Sequence, residues 1–225
     1  MKKILHWIKK ILLFFIIGSL LIVVVYRFVP VFITPLMVIR SIEQVLDGNM
    51  PILHKKWVPL EEISPYMIQA VIAGEDQKFM EHWGFDFKSM KKAYQYNKKG
   101  KKIRGGSTIS QQAAKNVFLW PSRSYVRKAF EAYFTILIEL FWSKRRIMEV
   151  YLNVIETGNG IYGVEMAARK YFNKSAKKLS KTEAAAIAAC LPNPRKYKPT
   201  KPSNYIHNRK NFILRYISSM PKLNE

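Results

Sequence analysis

The sequence predicts a mainly α-helical globular domain carried on one N-terminal transmembrane helix. Three observations predict it. An uncharged apolar run, Ile11 to Tyr26, stands near the N-terminus. Beyond it, apolar residues recur at three- and four-residue spacing in segment after segment, the period of a helix with one buried face. No segment shows a run of strand-like alternation. At 49% hydrophobic residues the chain can bury a core, which excludes global disorder.

The apolar run is preceded by Lys2, Lys3, Lys9 and Lys10 and followed by Arg27. A helix that spans a bilayer needs about 20 residues. Extending the run to Val29 supplies them, with Arg27 snorkelling to the interface. The lysines before the span predict a cytoplasmic N-terminus. A cleaved signal peptide shares the basic and apolar regions, but Val23-Val24-Val25-Tyr26-Arg27 lacks the small-residue pattern of a cleavage site. The expected organisation is therefore a basic tail at 1–10, a signal anchor at 11–29, a linker at 30–56 and a domain at 57–225.

The chain has 38 basic and 15 acidic residues and a net charge of +23. Only five of the basic residues fall at or before Arg27, so most of the excess belongs to the domain. Such a surface seeks an anionic partner: nucleic acid, an anionic membrane or a phosphorylated substrate. An extracytoplasmic domain does not meet nucleic acid, which leaves the other two. The single cysteine, Cys190, closes no intramolecular disulfide and has no second cysteine or histidine at metal-ligand spacing. In its alanine-rich helix it reads as a small buried residue.

Residues 30–63, the linker and the start of the domain, read as a lead-in punctuated by Pro30, Pro35, Pro51 and Pro59. Ser64-Pro65 reads as an N-cap with proline at the first helical position, opening a helix that runs to Glu75. Residues 98–106 form a basic, glycine-containing loop, and Ser107 to Asn116 begins the next helix. Arg127 to Trp142 carries Phe130, Phe134, Leu137, Ile138 and Phe141 on one face. Ile147 to Ile155 and Val164 to Phe172 are helical, with a glycine-rich turn at Gly158 to Gly163 between them. Ser180-Lys181-Thr182-Glu183 is a capping box that opens a helix through Cys190. Leu191 to Pro202 is irregular, and Asn208 to Met220 is the last helix.

Three clusters carry candidate chemistry. Glu75 and Asp76 end an apolar helix and are followed by Phe79, His82 and Gly84. A carboxylate held against apolar groups gains proton affinity, as a general base for a hydroxyl requires. Taken alone, the pair is an ordinary helix terminus. Next, Gly105-Gly106-Ser107-Thr108 leads into a helix, the arrangement by which a helix N-terminus receives an anion. Thr108, Gln112 and Lys115 share one face there. The plain alternative is a capped helix with polar surface residues. Last, Arg127 and Lys128 stand four and three residues before Glu131, a spacing that in isolation is a surface ion pair. Arg123 adds a cation upstream.

In this order the segments resemble the family 51 transglycosylases, the glycosyltransferase domain of peptidoglycan synthases such as class A penicillin-binding proteins. The resemblance rests on Glu75-Asp76-x-x-Phe79-x-x-His82-x-Gly84, on Gly106-Ser107-Thr108-Ile109-x-Gln111-Gln112-x-x-Lys115-Asn116, and on Arg127-Lys128-x-x-Glu131. Two further segments agree: Lys144-x-x-Ile147-Met148-Glu149-x-Tyr151-Leu152-Asn153, and Ala184 to Pro192 followed by Asn193-Pro194. They cover roughly residues 57–200. Ser110 and Met148 depart from the commoner threonine and leucine. SxN and KTG motifs of a transpeptidase are absent, as in a monofunctional member.

The resemblance implies a lysozyme-like fold on the anchor and polymerisation of lipid II into β-1,4 glycan strands. The donor is a glycan chain on polyprenyl diphosphate, and inversion occurs at its anomeric carbon. Glu75 and Glu131 are the implied catalytic residues, Glu75 as the base. Asp76, Phe79, His82, Ser107, Thr108, Gln112, Lys115, Asn116, Arg123, Arg127 and Lys128 are the implied substrate-binding residues. Glu131 orients the cations or helps hold a divalent cation such as Mg or Mn. Membrane lipids and cell-wall synthesis or division proteins are the implied partners, at the cytoplasmic membrane. A lytic hydrolase would also use a glutamate, but it has no diphosphate leaving group to require the cations. A non-catalytic scaffold would leave the ordered polar motifs idle.

Overall fold

The structure is a computed structural model that describes residues 2–98, 100, 105–122 and 124–223. Helix α1 spans Lys2–Phe28 and so includes the basic tail as well as the apolar run. At 1.5 Å per residue it is about 40 Å long. It is long and apolar enough to cross a membrane. Its first half is bare, as a lipid-facing surface is.

The second half of α1 is not bare. It lies against α6 (Tyr125–Phe141). Phe15 meets the rings of Phe130 and Phe134 at 5.6 and 6.5 Å. The Ser19 hydroxyl donates to the carbonyl of Ile16, so the Tyr133 hydroxyl donates to Ser19 Oγ, at 2.6 Å. Trp142 Nε1 donates to the Val23 carbonyl at 2.8 Å, and Val23 is fully buried. Arg146 donates to the carbonyls of Tyr26 and Val29. Removing residues 2–29 would bare the apolar surface under Phe134 and Trp142, at about 25 cal/mol for each Å² uncovered. The truncated protein is therefore expected to melt at least several degrees below the full chain in the same detergent. Circular dichroism melting curves measure this; equal midpoints would show α1 to be only a tether.

The lead-in is also structured. Thr34 Oγ1 accepts from the Met37 amide, and Pro35 stands at the first helical position of α2 (Pro35–Leu46). The proline read as linker punctuation thus starts a helix. A three-stranded sheet corrects the absence of strands: β1 (His54–Lys55) pairs in parallel with β3 (Ile161–Tyr162), which pairs antiparallel with β2 (Glu156–Gly158). Strands of two or three residues are too short for alternation to be legible. The turn read at Gly158 to Gly163 is this hairpin. Gly160 has φ +68°, and a Cβ there would stand 2.4 Å from the Ile52 carbonyl oxygen, so only glycine fits.

The centre is α3 (Pro65–Glu75), in which Met67 to Ala73 are all buried. It packs on α9 (Lys181–Cys190) and α10 (Asn204–Tyr216). The alanines of α9 let the helices approach closely, and Cys190 is buried among them as expected. Both bonds of the capping box at Ser180 and Glu183 form. Ser64 does not cap α3; its hydroxyl donates to the Leu179 carbonyl at 2.8 Å and ties α3 to the chain before α9. On the other side, α5 (Ile109–Phe118) packs against α6 and α7 (Lys144–Val154), and α8 (Val164–Phe172) follows the hairpin. The polar helix α4 (Phe87–Lys98) has no counterpart in the sequence reading, because it buries only Ala93 and so lacks an apolar stripe. Helix α10 starts one turn earlier than Asn208, under a Ser203 cap.

Candidate active site

Glu75 is the last residue of α3, and its side chain is 12% exposed. Gln112 of α5 donates Nε2 to Glu75 Oε2 at 2.9 Å. Arg209 of α10 donates Nη2 to Glu75 Oε1 at 2.7 Å and to the Gly74 carbonyl at 2.9 Å. The Tyr151 hydroxyl donates to Gln112 Oε1 at 3.3 Å and fixes the amide's orientation. Burial raises the Glu75 carboxyl above the ordinary glutamate range, while Arg209, Gln112 and Lys115 pull it back down. Sequence reasoning missed Arg209, which lies far from every motif. A signal was present: Arg209 shares the buried stripe of α10 with Ile206 and Ile213, and a cation on such a stripe needs a partner.

Several residues read as substrate-binding make contacts within the protein that hold the site together. Asp76 accepts from His82 Nε2, at 2.9 and 3.0 Å to its two oxygens, and from the Ile109 amide at 3.0 Å. The N-terminus of α5, read as a receptor for a substrate anion, is thus occupied by the protein's own carboxylate. Thr108 donates to the Gly84 carbonyl at 2.6 Å and makes both bonds of a capping box with Gln111, so its hydroxyl is already engaged. Phe79 is fully buried, with Lys144 Nζ 4.7 Å over its ring. Gly84, at φ +75°, is where the loop turns back; a Cβ there would stand 2.6 Å from Thr135 Cγ2. The loop from Asp76 to Gly84 is thereby locked to α5, and Glu75 at its head with it.

The cations stand on α5 and α6. Glu131 is 2% exposed and takes Arg127 Nη1 at 2.6 Å and Lys128 Nζ. Arg127 Nε also donates to the Ser122 carbonyl at 2.6 Å, and Lys128 Nζ reaches Ser107 Oγ at 3.4 Å. Burial and the neighbouring Arg127 and Lys128 lower the Lys115 ammonium below the ordinary lysine range, against Glu131 and Glu75, which raise it. Lys115 and Arg127 border a cavity of about 520 Å³ whose lining also includes Arg40, Gln112, Asn116, Trp120, Tyr151 and Glu156. The structure thus brings Gln112, Lys115, Asn116 and Arg127 around one cleft, with Glu75 behind Gln112, Glu131 behind Arg127, and Lys128 and Ser107 beside Glu131. Arg123 lies outside the described residues.

The donor set does not suit a metal at Glu131, because both of its oxygens already have cationic partners. No group of three or more His, Cys, Asp or Glu stands together among the described residues. The set suits an anion: three cations (Arg40, Lys115 and Arg127) and two amides (Gln112 and Asn116) line one cavity with one carboxylate, Glu156, and Glu75 stands behind the Gln112 amide.

The family profile described as transglycosylase matches residues 44–218. Three relatives are each described as a biosynthetic peptidoglycan transglycosylase. The protein from Bacteroides thetaiotaomicron is 55% identical over 221 residues, 98% of this chain and 89% of its own length. That from Bdellovibrio bacteriovorus is 56% identical over 217 residues, 96% of this chain and 87% of its own. That from Caulobacter vibrioides is 56% identical over 192 residues, 85% and 81%. With a cleft of this chemistry and a match of this extent, the chain belongs to the transglycosylase family.

Proposed function

We propose that the protein is a monofunctional peptidoglycan glycosyltransferase that polymerises lipid II at the cytoplasmic membrane, with its N-terminus in the cytoplasm and its domain outside. One observation carries the reading: a shielded carboxylate of raised proton affinity, Glu75, stands across Gln112 from a cavity walled by Lys115 and Arg127. Glu75 takes the proton of the acceptor sugar's 4-hydroxyl. That oxygen attacks the donor's anomeric carbon from the face opposite the diphosphate. The new C–O bond forms as the bond to the diphosphate breaks, and the leaving oxygen keeps the electron pair. An α-linked donor thus becomes a β-1,4 product, and Glu75 passes its proton to water. Lys115 and Arg127 stabilise the charge that grows on the diphosphate in a cleft of low dielectric. Glu131 holds Arg127 and Lys128 in place. The basic surface and α1 keep the enzyme among anionic lipid substrates.

Incubating the purified full chain with labelled lipid II tests the reading. Polymer with release of polyprenyl diphosphate supports it. Digestion of finished strands would indicate a hydrolase, and neither product a scaffold.

Arg209 gives a pH test. A general base must be ionised, so activity falls as pH drops through the pKa of Glu75. Arg209 lowers that pKa. Arg209→Gln is expected to raise it and move the acid limb of the kcat profile to higher pH. An unmoved limb in an active variant would separate Arg209 from the base.

A further inference from the structure

A second opening of about 550 Å³ adjoins the cleft, lined by Arg40, Asn159, Asn193, Arg195 and Lys196. Arg40 lines both, so the two openings meet at one guanidinium. The lining comes from three separate parts of the chain: α2, the β2–β3 turn, and the segment after α9. That last segment is fixed by its own turn, in which the amides of Lys196 and Tyr197 donate to the Asn193 carbonyl at 3.2 and 3.0 Å. Glu43 holds Arg40 from behind, 2.5 Å from Nη1, and leaves Arg40 Nε buried without a hydrogen-bond partner. Glu156 Oε1, in the wall of the main cleft, is likewise buried and unpartnered. Burial and Glu43 push the Glu156 carboxyl up, against Arg40, Arg195 and Lys115, which pull it down.

The mechanism uses none of this. Among the described residues, three cations and two amides line the second opening and no carboxylate does. Guanidinium forks match a carboxylate with paired hydrogen bonds, and amide N–H groups fill its remaining lone pairs. The diphosphate has its partners at Lys115 and Arg127. An anion reaching past Arg40 therefore belongs to another substituent of the sugar.

We propose that the second opening binds a carboxylate on the peptide arm of the sugar substrate, and so positions the sugar in the cleft. This rests on the glycosyltransferase reading. Arg195 and Lys196 are exposed, so Arg195→Gln with Lys196→Gln leaves the core intact.

The test uses the full chain in neutral detergent and two measurements. The first is binding of soluble N-acetylmuramyl pentapeptide and of its fully amidated counterpart. The second is steady-state polymerisation of the lipid-linked disaccharide bearing each arm. The native protein is expected to bind the carboxylate form about tenfold more tightly than the amide, as one charged hydrogen-bonded contact provides. The double variant should lose that preference, with KM for the carboxylate substrate rising about tenfold and kcat unchanged. Equal binding of the two arms by native protein would overturn the proposal. So would an equal loss for both arms in the variant. Normal polymerisation without arm preference sinks this inference alone. Arm preference in a protein that polymerises neither substrate sinks the glycosyltransferase reading and leaves the carboxylate site standing.

Discussion

Glu75→Gln is expected to lower kcat for polymerisation about 10²–10⁴-fold, the usual cost of losing a general base. The amide keeps the shape of the side chain but cannot take the acceptor's proton. Two opposing effects bear on the fold. The amide can accept from only one of its two present donors through oxygen, so either Gln112 or Arg209 loses an acceptor, a loss of about 1–3 kcal/mol where the group stays buried. Against that, the ionised carboxylate itself costs stability. Its folded pKa is raised, so the folded state binds the proton more tightly than the unfolded chain does. Stability then falls as pH rises from the unfolded pKa through the folded one, and stays lower at neutral pH. The substitution removes this cost. A melting midpoint near native and undiminished binding of lipid II should therefore accompany the lost rate. A variant that polymerises at near the native rate would remove Glu75 from the role of base.

How legible the site was in the sequence depended on where each side chain finds its partner. Helix α6 read directly from its apolar stripe and α9 from its capping box, because such signals lie between residues three or four apart. Glu75, Gln112 and Lys115 were legible through ordered motifs. Their neighbours Asp76 and Thr108 stand in the same motifs but spend their polar atoms on Ile109, Gly84 and Gln111. A motif does not say whether a hydroxyl or carboxylate faces substrate or backbone; only the fold does. Arg209 was lost for the opposite reason. It has no motif, and its pairing with Glu75 spans 134 residues. The small sheet was invisible because its strands are too short to show alternation, and α4 because it buries only Ala93. The docking of α1 was hidden by its composition, since a face packed on Phe134 and a face packed on lipid use the same residues.

Lys115→Ala and Arg127→Ala are each expected to cut kcat about 10²–10³-fold, the scale seen when one preorganised donor to a developing charge is removed. The two should differ in their pH profiles. In the proposed mechanism Lys115 acts on the diphosphate only while protonated, and its pKa is lowered by burial and by Arg127 and Lys128. The native basic limb should therefore fall at lower pH than that of a free lysine. Removing Arg127 relieves part of the repulsion, so the residual activity of Arg127→Ala should persist to higher pH. Lys115→Ala should lose this limb altogether. Arg127→Lys should not restore the native rate, because one ammonium cannot reproduce the fork that serves both Glu131 and the Ser122 carbonyl. Added salt should weaken substrate binding less in either alanine variant than in the native enzyme, since a cation that meets the diphosphate is gone. The deciding measurement is the pH dependence of kcat and KM for lipid II in native enzyme and all three variants. Native rates in Lys115→Ala, or a basic limb that survives its removal unchanged, would mean that the leaving group meets its charge elsewhere in the cleft.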